Sequence, residues 1–165
     1  MTTPSSPPTS GTQNAALTAL LQMEYGVVYD LSAAAGQLVT HVPATNATPP
    51  APYGPVLAAT SASYDEHRLR RDRLIDALRA RSAAIPAPLP AYRITRSDQP
   101  LVLLGYLAAL AQTTIVGYRA QLAGLTDPAL RSDAVAAVVE AARFRTVVLL
   151  AAGQDAAGAA PALPG

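Results

Sequence analysis

The spacing of apolar residues along the chain predicts four long helices. Leucine, valine and alanine side chains recur at every third or fourth position in each of these segments, which is the period of one face of an α-helix. We place the helices at residues 15–40, 56–82, 100–125 and 128–152. No apolar run alternates with polar residues between turn signals, so the sequence favours an all-α fold over one that contains strands.

Helix-terminating residues support these boundaries. Asn14 precedes the first apolar stripe as a candidate N-cap. Pro100 suits the first turn of the third helix, and Asp127 followed by Pro128 is a capping residue next to a proline at the first helical position. Gly153 follows the last apolar position and predicts the end of the fourth helix.

The helix lengths and connections predict a four-helix bundle. Each helix has about 25 residues and would be roughly 37 Å long, and similar lengths favour a bundle. Two joins are long and proline-rich, at residues 41–55 and 81–99, and either could cross the length of the bundle. A single long crossover is the ferritin-like arrangement. We therefore expect a bundle over residues 14–153, with disordered tails at 1–13 and 154–165.

Composition narrows the range of chemistry. The chain of 165 residues has no cysteine and a formal net charge of +1, which excludes disulfides and thiolate metal sites and argues against nucleic-acid binding. All of its cationic side chains are arginine. The segment 99–118 carries no charge, but its apolar residues form a stripe, which favours a core helix over a membrane span. The N-terminus lacks a secretory pattern, so we expect a cytoplasmic protein.

Three segments together resemble a known family. They are TALLQMEYGVVYDLSAAAG in the first helix, SYDEHRLRRDRLIDALRAR in the second and the link PAPLPAYRI that follows. With the two alanine-rich helices after them, they resemble an actinobacterial ferritin-like family, domain-of-unknown-function family 4439. The resemblance covers about residues 14–153. It implies a ferritin-like fold and no particular activity, because the family has no assigned reaction.

The ligand pattern of metal-binding ferritin-like bundles is only partly present in this chain. In those bundles two helices each supply a Glu, and the other two each supply a Glu-x-x-His pair. Glu24 lies within the apolar stripe of the first helix, as expected. His67 is preceded at the third position by Tyr64 instead of Glu, and Glu140 is followed at the third position by Arg143 instead of His. The third helix has no acid.

The substitution at Arg143 suggests what replaced the metal. A guanidinium stays protonated and cannot ligate a cation. We therefore predict a buried ion-pair cluster of Glu24, Glu140 and Arg143, with no metal or other cofactor. The favoured function is a structural or interaction protein that associates as a homodimer or with another protein, and the residues favour a non-catalytic role.

Other interpretations of the same residues stay open. Glu24, His67 and Glu140 could converge as a reduced iron or manganese site of an oxidoreductase or metal-handling protein. A small-molecule pocket lined by Tyr64, Gln112 and Tyr118 is a third possibility. These residues could also have no functional role. His67 would then be a hydrogen-bonded core histidine, and Glu24 could lie at the edge of its apolar stripe. Glu140 and Arg143 could be an ion pair on the surface.

Overall fold

Four helices account for most of the chain in the computed structural model, which describes residues 10–40 and 53–154. They are α1 (Ser10–Thr40), α2 (Tyr53–Ala80), α3 (Pro100–Gln121) and α4 (Pro128–Ala151). A short 3-10 turn, Leu122–Gly124, continues α3. Neither described range contains a strand, and the prediction of an all-α four-helix bundle is confirmed.

Two apolar clusters, one at each end of the bundle, define the direction of the helices. One cluster joins the end of α1 and the start of α2 with the start of α3 and the end of α4. The other joins the four opposite termini. Representative members are Leu38, Val56, Leu103 and Val148 at the first end, and Leu17, Leu78, Tyr118 and Ala134 at the second. Consequently α1 and α2 form one antiparallel hairpin, and α3 and α4 form another.

The connection between the two hairpins runs the length of the bundle. Because α2 ends at one end and α3 begins at the other, residues 81–99 must cross between them. This segment follows α1: the Tyr92 ring lies 5.3 Å from the Tyr29 ring, and the Gln37 amide donates to the Thr95 carbonyl at 2.9 Å. The long proline-rich crossover is therefore 81–99.

The helices pack with α1 next to α2 and α3, and with α4 next to α2 and α3. Gly117 of α3 faces the Met23 side chain of α1, which an added Cβ would displace. The next residue, Tyr118, also contacts α1, through Glu24. Because α1 packs against both α2 and α3, its inward-facing side chains can meet side chains of these two helices.

The first helix begins earlier than predicted. Residues 10–13 are helical, and Asn14 lies inside α1 and is not its cap. The extra turn is held because Gln13 is buried and its Oε1 accepts hydrogen bonds from the backbone and hydroxyl of Thr126. The rest of the predicted tails, residues 1–9 and 155–165, and the join at 41–52 lie outside the described residues.

The predicted boundaries of α4 are confirmed. The Asp127 carboxylate accepts from the backbone N–H of Ala129 at 2.8 Å and of Leu130 at 3.3 Å, and Pro128 is the first helical residue. After α4, Gly153 has a φ of 88°, a left-handed conformation that costs glycine little and that closes helix C-termini.

By length and composition, α3 with its terminal turn (Pro100–Gly124) is the one helix in the described chain that could cross a membrane. Half of the residues in its most apolar window are buried inside the bundle. The buried positions include Leu103, Leu107 and Ala111, which pack in the same cluster as α1 and α4 residues. This one-sided burial is that of a core helix.

Candidate functional site

Glu24 lies at the centre of the polar interior. It is 0% exposed, although ionisable side chains are almost never fully buried unless they are paired. One carboxylate oxygen, Oε2, lies 2.6 Å from Nδ1 of His67 on α2. The other, Oε1, accepts a hydrogen bond of 2.5 Å from the Tyr118 hydroxyl on α3. Both oxygens therefore have a partner, one from each helix that packs against α1.

Helical spacing explains why His67 and Tyr118 point at Glu24. His67, Leu74 and Leu78 are the buried face of the second half of α2, at intervals of seven and four residues. On α3, Tyr118 lies one turn after the buried Thr114. Since α1 packs between these two helices, its inward-facing glutamate meets both side chains.

Burial and the nearby carboxylate act together on Tyr118. Its pKa is raised well above 10.0, first because the hydroxyl is desolvated and then because the negative charge and hydrogen bond of Glu24 disfavour the phenolate. Tyr118 thus remains a hydrogen-bond donor throughout the physiological pH range. A carboxylate accepts, so the geometry places a proton on Nδ1 of His67 as well.

Arg70 supplies the cation of the interior. Its side chain is only 7% exposed and forms an ion pair with Glu140 of α4, while Glu66 lies 4.0 Å away on the same helix. The cluster predicted from the sequence did not include Arg70. The signal that would have found it is its spacing: Arg70 is three residues after His67 and four before Leu74, on the buried face.

The predicted cluster of Glu24, Glu140 and Arg143 is wrong in its cation. Arg143 is exposed, and no acid among the described residues lies within ion-pair distance of its guanidinium. The reason is geometric, because the buried face of α4 runs through Ala137, Ala141 and Phe144 and places Arg143 beside it. Glu140 therefore pairs across the α2–α4 contact with Arg70, and Glu24 has its own partners.

Glu24, His67 and Glu140, the possible metal ligands, do not all come together in the structure. Glu24 and His67 are in contact, whereas Glu140 is neutralised by Arg70. Within residues 10–40 and 53–154, no group of three or more histidine, aspartate or glutamate side chains is arranged to hold a metal ion. The donor set does not fit a dinuclear centre, because α3 has no acid and neither Glu-x-x-His pair is complete.

The predicted pocket of Tyr64, Gln112 and Tyr118 does not form. Gln112 is exposed on α3. Tyr64 lines a surface hollow between α1 and α2, and Tyr118 lines a small cavity of about 20 Å³ at the other end of the bundle. The two hollows have different lining residues and Gln112 lines neither, so the three side chains share no pocket.

A different cleft opens beside the buried network, between α2 and α4. It has a volume of about 280 Å³ and is reached from the solvent. His67 and Arg70 form part of its wall, so the cleft is where the polar interior meets the surface. Sequence reasoning missed this cleft because small residues on two helices, such as Ala59, Ala62 and Ala141, create it by leaving space.

Fold and interior define the class of this protein: an all-α four-helix bundle with one long crossover and a buried Glu–His–Tyr network. The chain belongs to the family described as Domain of unknown function (DUF4439), whose model matches residues 16–165. The resemblance found in the sequence is thereby confirmed.

A solved structure has the same fold. It is the crystal structure of a conserved hypothetical protein from Mycobacterium tuberculosis, an actinobacterium, with a TM-score of 0.70 and 20% identity. The match covers 86% of this chain and 98% of that one. Comparison with curated proteins gives no match. Family and fold are therefore shown.

Proposed function

We propose that this protein is a ferritin-like bundle that has lost its dinuclear metal centre and serves a structural or interaction role. The connectivity supports the ferritin-like assignment, since two antiparallel hairpins are joined by a single crossover, residues 81–99. The position of Glu24 and His67 near the middle of their helices is a second support, because ferritin-like metal ligands project inward from such positions.

The observation that carries the proposal is the occupancy of the interior by protein groups. Each oxygen of Glu24 is bound by a side chain, and Glu140 is bound by the guanidinium of Arg70. The hydrogen bonds of Glu24 and the ion pair of Glu140 compensate these two acids without a metal. The arginine charge also repels a cation. The interior is thus stabilised without metal.

The competing proposal is a reduced site for iron or manganese. The contact between Glu24 and His67 supports it, because a carboxylate and an imidazole are ligands that both metals accept. A metal held by Glu24 Oε2 and His67 Nδ1 would replace the hydrogen bond between them, and recruitment of Glu140 would break its ion pair with Arg70. The loss of these two protein contacts favours the metal-free interpretation.

Self-association forms part of the proposed role. Valine residues are exposed on the outer faces of α3 and α4, at Val116, Val135 and Val139. Around Val116, the exposed positions Gln112, Thr113 and Ala120 are uncharged, whereas the neighbouring exposed Arg119 is charged. A partly apolar face with few charges is the kind of surface that homodimers bury. Sedimentation equilibrium of Val116→Glu, with Gln22→Glu at an exposed position of α1 as the control for added charge, tests whether α3 takes part.

Metal analysis tests the main proposal. The full-length protein is produced with iron and manganese in the medium, purified without chelator and analysed by inductively coupled plasma mass spectrometry. We expect far less than one equivalent of either metal per chain. Stoichiometric iron or manganese, lost in a Glu24→Gln variant that keeps its helical circular-dichroism spectrum, would reject the proposal and support the reduced metal site.

A further inference from the structure

The cleft between α2 and α4 combines an apolar end with a polar end. Because the two helices are antiparallel, the start of α2 faces the end of α4, and the apolar end is made by Ala59, Ala62, Phe144 and Val147. Towards the other end lie His67, Arg70, Glu66, Glu140 and Arg143. Its volume of about 280 Å³ is close to the lower limit of ligand pockets, roughly 300 Å³. The occupant should therefore be small.

The charges at the polar end are unequally compensated. Arg70 is neutralised by Glu140, with Glu66 at 4.0 Å as a second acid. Arg143, on the wall of the same cleft, has no acid within ion-pair distance among the described residues. An uncompensated guanidinium next to an apolar wall is a site for a carboxylate, which it binds through two parallel hydrogen bonds.

His67 adds a second polar contact. Its Nδ1 is committed to Glu24, and no hydrogen bond involving Nε2 is present among the described residues. The ring belongs to the cleft wall, so Nε2 is the nitrogen that remains for an occupant. Donation to Glu24 from one nitrogen and to a ligand carboxylate from the other is the hydrogen-bonding mode of an imidazolium, which carries a proton on both nitrogens.

We propose that the α2–α4 cleft binds a small organic acid with an apolar body. The carboxylate is held by Arg143 and His67, and the body lies against Ala59, Ala62 and Phe144. Glu24, buried behind His67, orients the ring and is a positioning residue. This site goes beyond the proposed structural role and does not depend on metal content, so either proposal can fail without the other.

Three probes that share one apolar body and differ in charge test the ligand class. Benzoate, benzyl alcohol and benzylamine are titrated into the ¹⁵N-labelled full-length protein, and binding is followed by the movement of backbone amide signals. We expect saturable shifts at α2 and α4 residues of the cleft, with benzoate binding at least tenfold more tightly than the other two. Preferential binding of benzylamine, or no saturable shift with benzoate, would overturn the proposal.

Two arginines on one helix provide a matched pair of variants. Arg143→Gln removes the guanidinium of the cleft, whereas Arg145→Gln removes one that is not part of the cleft wall. Benzoate affinity should fall about tenfold or more in the first, which is the range for a charge-assisted hydrogen bond, and stay unchanged in the second. Equal affinity in both variants would contradict the assignment of Arg143.

A third variant tests the apolar end. Ala62→Leu adds side-chain volume to the cleft wall at a position that is exposed, so the core is not disturbed. We expect benzoate binding to be lost while the unliganded amide spectrum stays that of a folded bundle. Undiminished binding would place the probe elsewhere on the molecule and refute the site.

Discussion

Glu24 and Glu140 are both bound by side chains of α2, yet they are stabilised in different ways. Glu24 is fully enclosed and is bound by His67 and Tyr118, side chains that also have a neutral form. The Glu140 side chain is 42% exposed and is bound by Arg70, which is always charged. The sealed side of the interior thus uses hydrogen bonds, and the side next to the cleft uses an ion pair.

The difference follows from access to water. An ion pair that is partly solvated loses less hydration than one that is fully buried, so the arginine can be kept beside the cleft. At the sealed side an additional full charge would cost more, and two polar donors suffice to satisfy one carboxylate. The comparison predicts that removal of an acid is costliest where no water can replace it.

Glu24→Ala should have the largest effect on stability. The substitution leaves the Tyr118 hydroxyl and His67 Nδ1 without an acceptor in a sealed environment and also opens a cavity. We expect the free energy of unfolding to fall by roughly 3–5 kcal/mol, as measured by urea denaturation. Glu24→Gln, which keeps the shape and one acceptor, should lose clearly less. Equal losses in both variants would show that the hydrogen bonds are unimportant.

The ion pair should respond asymmetrically to the removal of its two members. Glu140→Gln leaves a guanidinium that is 7% exposed with only the more distant Glu66, and we expect a loss of about 2–3 kcal/mol. Arg70→Met keeps the apolar volume and leaves an acid that water can reach, so about 1 kcal/mol is expected. A larger loss in Arg70→Met would contradict the role of solvation.

Tyr118→Phe should change how stability depends on pH. Because the pKa of Tyr118 is higher in the folded state than its ordinary 10.0, the folded protein holds a proton that the unfolded chain releases. The resulting stabilisation is complete below pH 10 and is lost as the pH rises further. The variant should lose about 1–2 kcal/mol at neutral pH and show a shallower decline in alkali.

Denaturation curves of the wild type and Tyr118→Phe at several alkaline pH values provide the measurement. Tyr29→Phe, at an exposed position, is the control for removal of a hydroxyl. Part of the alkaline slope will remain in the variant, because burial also raises the pKa of Tyr106. An identical slope in the wild type and Tyr118→Phe would exclude the contribution of Tyr118.

Arg143→Gln should have the smallest effect. The sequence alone predicted a buried cation here, and its loss would then have cost roughly 3–5 kcal/mol. Since Arg143 is exposed in the structure, we expect a change within about 0.5 kcal/mol. A loss of several kcal/mol would support the cluster of Glu24, Glu140 and Arg143 predicted from the sequence and would contradict Arg70 as the partner of Glu140.

The helices were predictable because their periodicity and terminal residues agree. Asp127, Pro128 and Gly153 act locally, so their roles could be predicted without knowledge of the tertiary structure. The start of α1 depends instead on Gln13, which is held by Thr126 from the other hairpin. A contact over such a separation leaves no local signal, and that boundary was misplaced.

In the site, inward-facing residues were easier to predict than their partners. The position of Glu24 within a leucine stripe correctly indicated burial, and His67 was correctly suspected as a core histidine. Arg70 was not predicted as part of the site, although its spacing from His67 and Leu74 places it on the inner face of α2. Which cation meets Glu140 depends on the rotation of α2 and α4, which periodicity fixes only within a fraction of a turn.

The most direct test of the metal-free interior is a crystal structure of the full-length protein grown without chelator and soaked in Mn²⁺, with anomalous data collected at a wavelength where manganese scatters. The account predicts no anomalous peak at the centre of the bundle and continuous density between Arg70 and Glu140. A peak bonded to Glu24 and His67, with Arg70 turned towards the solvent, would contradict it.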